Sequence, residues 1–173
     1  MDINAKKSIA GQVRDFRMPR YRELPDMGLY LEQTAKFITE HYAPLGDYGL
    51  TTSMISNYVK KGLVANPVKK QYDRDQIAYL LFIALAKNVL SLDALTNFIR
   101  LQQQTYSLEI AYNYFCSRLE EMLRYTFELS DYITATDTDS TDEKRLLYSC
   151  VVAMTQNIYL EKCLEAVVSE TKK

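Results

Sequence analysis

Ser53, Ser56, Asn57, Lys60 and Lys61 recur at offsets of three and four residues, which gathers them along one side of a helix, with Thr52 at its start. Hydroxyls and a carboxamide followed by two ammonium groups make a set suited to nucleic acid. The Asn57 amide can meet adenine with a donor and an acceptor together, and the hydroxyls suit base edges of either kind. Lys60 and Lys61, with Lys69 and Lys70 further along, would hold phosphates and so set register rather than sequence. A structural reading competes with this one. Amphipathic helices often end in Lys-Lys-Gly because cations suit the C-terminal dipole and Gly suits the cap.

Other chemistries find little to build on. His41 is the single histidine, so neither a Cys/His metal site nor histidine catalysis has its parts. At a helix end it is expected to interact with the dipole. Cys116, Cys150 and Cys163 show no CxxC spacing and sit among apolar neighbours, as buried free thiols do. Asp137, Asp139 and Asp142 have the outline of a calcium loop without its Gly and closing Glu. Glu120 and Glu121 are adjacent on a helix and point apart, so they form no acid/base pair. No P-loop, GxGxxG, GxSxG or HExxH occurs. The expectation is a protein without catalytic residues, metal or cofactor. Of 14 tyrosines, Tyr106, Tyr112, Tyr114, Tyr125, Tyr132, Tyr148 and Tyr159 fall in the C-terminal half, where they pack helices or wall a pocket for an apolar effector.

Residues 1–28 read as an irregular basic arm, interrupted by Pro19 and Pro25, whose Lys6, Lys7, Arg14, Arg17, Arg20 and Arg22 are free to meet a phosphate backbone or to be solvated as a tail. A first helix is expected from Leu29 to Tyr42, ended by the Ala-Pro-Leu-Gly run at 43–46. A second begins at an N-cap on Thr51 or Thr52 and stops at Gly62, with Ile55, Tyr58 and Val59 inward. Asp73-x-x-Gln76 is a capping box for a third helix, and Ser91 caps a fourth. Two longer helices follow, over about 107–129 and 141–171. The second is entered through Ser140-x-x-Glu143 after the polar loop 134–141. Its broad apolar face asks for partners on more than one side. The expected division is therefore a basic arm at 1–28, a helix-turn-helix unit at 29–104 and a C-terminal helical region at 105–173.

The chain has 173 residues, 47% hydrophobic and 25% charged, which is ordinary for a globular protein with a sizeable core. Residues 1–104 carry a balance of +4 and residues 105–173 one of −5, a basic part followed by an acidic part. The opening MDINAKKSIAGQVRD lacks the apolar run of a secretory leader, and no stretch of ~18 apolar residues could span a bilayer, so a cytoplasmic location without membrane contact is expected.

The run LTTSMISNYVKKGLV at 50–64 resembles the recognition segment of the MerR family, where a Ser/Thr-rich start leads to Ile, an aromatic, basic residues and Gly-Leu; Ile55, Tyr58, Lys60, Gly62 and Leu63 match in place. Lys70-x-Tyr72-Asp73 resembles the close of that family's wing, the run 74–80 its next helix start, and LSLDAL at 90–95 its following turn. Ser56 stands where the family usually has Arg, and the wing is short, without Gly-Tyr-Arg. Over nearly its full length, through FRMPR at 16–20, Leu24-Pro25, Leu29-Tyr30-Leu31 and VKKGL at 59–63, the chain also resembles a family of uncharacterised bacterial proteins (domain of unknown function 1836), generally taken as MerR-like regulators. These resemblances imply an all-α protein: a MerR-like helix-turn-helix with a reduced wing, followed by a C-terminal helical hairpin. They imply double-stranded DNA as partner, read in the major groove through Thr52, Ser53, Ser56, Asn57, Tyr58, Lys60 and Lys61, with Lys69 and Lys70 on the wing. They further imply a homodimer joined through the C-terminal helices, acting as a transcriptional regulator. A protein–protein interaction module that keeps this fold without DNA binding is the alternative, and a small-molecule sensor a third.

Overall fold

The computed structural model describes residues 3–134 and 141–171. Side-chain caps start the central helices. Thr51 Oγ1 accepts from Met54 N at 3.2 Å to open α3 (Thr52–Lys60). Asp73 and Gln76 exchange hydrogen bonds of 2.9 and 2.8 Å at the head of α4 (Arg74–Ala86). Ser91 and Ser107 do the same work for α5 (Leu92–Thr105) and α6 (Leu108–Thr126). Each satisfies an N–H that the first helical turn leaves without a partner. The Ser140 capping box lies outside the described residues. At the head of α7 (Asp142–Thr171) the Thr141 hydroxyl accepts from Lys144 N at 3.4 Å.

α4 is the centre. Every residue from Gln76 to Ala86 except Tyr79 is buried, as expected of a helix apolar on all sides. It packs against α2 (Leu31–Tyr42), α6 and α7. The Tyr42 hydroxyl donates to the Leu81 carbonyl at 2.9 Å, and Phe82 meets Phe115 edge-on with ring centroids 5.3 Å apart. α6 and α7 lie against each other as the expected pair of long helices. One hydrophobic core runs from Ile9 to Ile158 and draws on all three segments of the chain.

The N-terminal segment differs from the irregular arm expected of it. Ile3–Arg14 forms α1, which packs on α6 and α7, buries Ile9 and Val13, and receives the Lys162 ammonium on Gln12 Oε1 at 2.8 Å. Beyond it Phe16, Met18 and Leu24 are buried, and a single 3-10 turn spans Tyr21–Glu23. The buried Glu120 carboxylate ties this strap to α6: it accepts from Met18 N at 2.7 Å and from both terminal nitrogens of Arg20 at 2.8 Å. Asn113 Oδ1 takes Tyr21 N at 2.9 Å. A bidentate guanidinium–carboxylate pair is among the more directional contacts available, so the strap is fixed in register.

Helix α2 begins at Leu31, two residues later than expected, because Leu29–Tyr30 forms a short strand, β1. It pairs antiparallel with β2 (Gln71–Tyr72) in the register Leu29–Tyr72 and Tyr30–Gln71. The molecule is thus mostly helical, with one two-stranded sheet among the described residues. Among those residues, no helix is long and apolar enough to cross a membrane.

Candidate nucleic-acid interface

Ile55 and Tyr58 are buried, and they seat α3 on the core. The helix stops in a Schellman arrangement: Leu63 N donates to Tyr58 O and Gly62 N to Val59 O, both at 3.0 Å, with Gly62 at φ 75°. The buried Leu63 and Tyr58 complete the motif's apolar contact. Upstream, Gly49 permits the close approach to α2, since a Cβ there would overlap the Thr39 side chain. The connection from Ala43 to Thr51 is held by buried Leu45, Tyr48 and Leu50. Tyr48 also donates to Glu161 on α7 at 2.6 Å.

These constraints leave Ser53, Ser56, Asn57, Lys60 and Lys61 all exposed on α3, with Thr52 half-buried beside its cap. None of the five makes a side-chain hydrogen bond or ion pair with the described residues. Tyr58 points the other way: it is 7% exposed, so its part is to support the helix, not to touch a ligand. Burial raises its phenol pKa.

Lys69 and Lys70 are exposed and likewise without partners, at the tip of a hairpin. Gln71 N closes the turn onto Val68 O at 2.9 Å, and both lysines have positive φ, 51° and 65°. Positive φ at both central residues is the type I′ pattern, which Asn-Gly usually supplies. The Gln76 side chain, donating to Ala65 O at 2.8 Å, pins the base of this hairpin to α4.

The sheet adds residues that sequence reasoning passed over. Val68 bridges Gln71, and Gln71 pairs with Tyr30, so the three side chains form a row on one face. Tyr30 is 51% and Val68 72% exposed, while Tyr72 is buried on the opposite face. Strands of two residues are too short for alternation to announce them.

Three arginines of the N-terminal segment form ion pairs. Arg17 pairs with Glu23 at 2.7 Å, Arg20 with Glu120 at 2.8 Å and Arg22 with Glu109 at 2.7 Å. Of these, the Arg20 pair with the buried Glu120 holds the strap on α6. Lys6, Lys7 and Arg14 stay exposed on α1. Two further residues differ in surroundings. His41 lies against Phe16, Phe37 and Tyr42 with Nε2 unbonded among the described residues, and burial lowers its pKa below the ordinary 6.5. Cys116 and Cys150 are buried thiols pushed up to about 12, whereas Cys163 is only half-buried.

Comparison with known proteins gives one result. A family model described as "Domain of unknown function (DUF1836)" matches residues 19–115, from the strap through the hairpin to the first half of α6. No curated protein and no solved structure matches the chain.

Proposed function

The chain belongs to the DUF1836 family, and from that premise we propose that it is a sequence-specific, DNA-binding transcriptional regulator acting as a homodimer, built on a MerR-like helix-turn-helix. The observation that carries the reading is the outer side of α3, where two hydroxyls, a carboxamide and two ammonium groups face solvent without partners among the described residues. A major groove accepts a helix of this kind, with residues near its N-terminus on base edges and the lysines on phosphates. Ser53, Ser56 and Asn57 read sequence; Lys60, Lys61, Lys69 and Lys70 hold the backbone. Tyr58 supports them from within. α7 ends with Leu160, Leu164, Val167 and Val168 exposed, at spacings that place them along one side. A second copy covering that stripe would bring two recognition helices to one site.

The test is a binding titration across salt concentrations. Each lost phosphate contact lowers the salt slope by about 0.9, so Lys60→Ala with Lys61→Ala is expected to weaken binding to every sequence and flatten the slope by roughly 2. Asn57→Ala is expected to cost about 1–3 kcal/mol at its preferred base pair and to relax sequence preference there. Full-strength binding by the double lysine variant would remove α3 from the groove. The same exposed stripe on α7 also favours the alternative, a protein-interaction module without DNA binding. A gel shift with random-sequence DNA at low salt separates the two, because a true binder retains non-specific affinity there.

A further inference from the structure

Between α5, α6 and α7, on none of the elements proposed to meet DNA, lies an open apolar cavity of about 170 Å³. Phe98 and Leu101 of α5, Ile110 and Tyr114 of α6 and Leu146 and Leu147 of α7 supply its walls. A smaller hollow continues inward, sharing Phe98, Gln102, Ala111 and Leu147 with the outer one and reaching Phe82 and Phe115 of the core. We infer that this cleft is a binding site for a neutral, flat aromatic molecule of one or two rings.

Three observations support that choice of ligand. The floor is aromatic: Phe98 stacks on Phe82 with centroids 5.4 Å apart, and Phe82 meets Phe115 edge-on at 5.3 Å, so an inserted ring extends an existing cluster. Gln102 and Tyr106, polar residues of the wall, are already engaged within the protein. Gln102 accepts from the Tyr79 hydroxyl at 2.9 Å and donates to Tyr106 O at 2.8 Å, and the Tyr106 hydroxyl meets Thr141 Oγ1 at 2.9 Å. A ligand therefore finds chiefly dispersion and desolvation here, with the buried Tyr112 hydroxyl, unbonded among the described residues, in the lining of the inner hollow. The size fits as well, since an apolar cavity of ~150 Å³ stays dry and takes up benzene. Ala111 lines both hollows, so a larger side chain there would intrude on both. Glu143 and Lys144 stand at the rim, so any polar substituent would lie there.

Indole is a suitable probe, because the chain has no Trp and the ligand's emission is read directly. Titration of the full chain is expected to give a saturable blue shift of indole emission together with a rise in Tm. Ala111→Leu takes up space in both hollows; it is expected to weaken indole binding at least tenfold while leaving Tm unchanged or higher. Ala153→Leu, on an exposed part of α7, is expected to bind as the wild type does. No saturable shift with the wild type, or full binding by Ala111→Leu, overturns the inference. So does a wild type that self-associates through this cleft and excludes indole, with Ala111→Leu monomeric.

Discussion

His41 carries a consequence that belongs to a single side chain. Its ring is packed among Phe16, Phe37 and Tyr42, with Nε2 unbonded among the described residues, and desolvation there outweighs the attraction of Glu120 for a proton. Burial holds its pKa below the 6.5 it has when exposed. As pH falls through 6.5 the unfolded chain takes up the proton first, so the unfolded state gains relative to the native one. Stability contributed by the neutral ring is therefore present above that pH and is lost progressively below it, down to the native pKa. Because this is the only histidine, the window just below 6.5 belongs to it more than to the carboxylates, which titrate lower. Melting curves are expected to show Tm falling between pH 7 and pH 5.5, and His41→Phe is expected to flatten that fall. An unchanged slope in the variant would place the titrating group elsewhere.

At the scale of elements, the proposed role of the hairpin tip is set against its stability. A non-glycine residue in the left-handed region costs about 1–2 kcal/mol, and this turn holds two in succession, Lys69 and Lys70. Replacing them by Asn and Gly supplies the residues the turn prefers. The variant is expected to gain about 1–2 kcal/mol in stability, measured by chemical denaturation, while losing DNA affinity and about 2 units of salt slope. A variant that is no more stable would mean the turn relaxes in solution. The same stretch shows why some elements were legible in the sequence and others were not. Thr51, Asp73 with Gln76, Ser91 and Gly62 act on backbone groups a few residues away, so type and spacing suffice to find them. The outward set on α3 was legible for the same reason: Ile55 and Tyr58 fix which side is buried. β1 and β2 pair residues far apart in the chain. α1 has few apolar positions, and its helix is completed by packing on α6 and α7. The Arg20–Glu120 pair joins residues a hundred positions apart. Partners that distant leave no trace in local pattern, and so a fixed strap read as a loose basic arm.

At the scale of the whole molecule, an exposed apolar stripe near the end of α7 bears on how the regulator reading scales up. α7 buries Val151, Met154, Thr155 and Ile158 in the common core, yet Leu160, Leu164, Val167 and Val168 remain 43–56% exposed. The stripe lies on the side of α7 turned away from α1, against which Lys162 is buried and bonded to Gln12, and Tyr48 bonds to Glu161 beside it, so the connection that sets the pose of α3 is tied to this end of α7. If a second copy covers the stripe, then dimerisation and the placement of two recognition helices share one element. Leu164→Glu places a charge in the middle of that face, where burial without a partner is costly, and it leaves the core untouched. Sedimentation is expected to show a dimer for the wild type and a monomer for Leu164→Glu, with Tm at low protein concentration little changed. Affinity for a two-half-site DNA should then fall by about 10²–10⁴, the gain that linking two binding units normally gives, while affinity for one half-site stays the same. A wild type that is monomeric at every concentration would end the dimer reading. A Leu164→Glu monomer that still binds the paired site at full strength would show that the two half-sites are not read together.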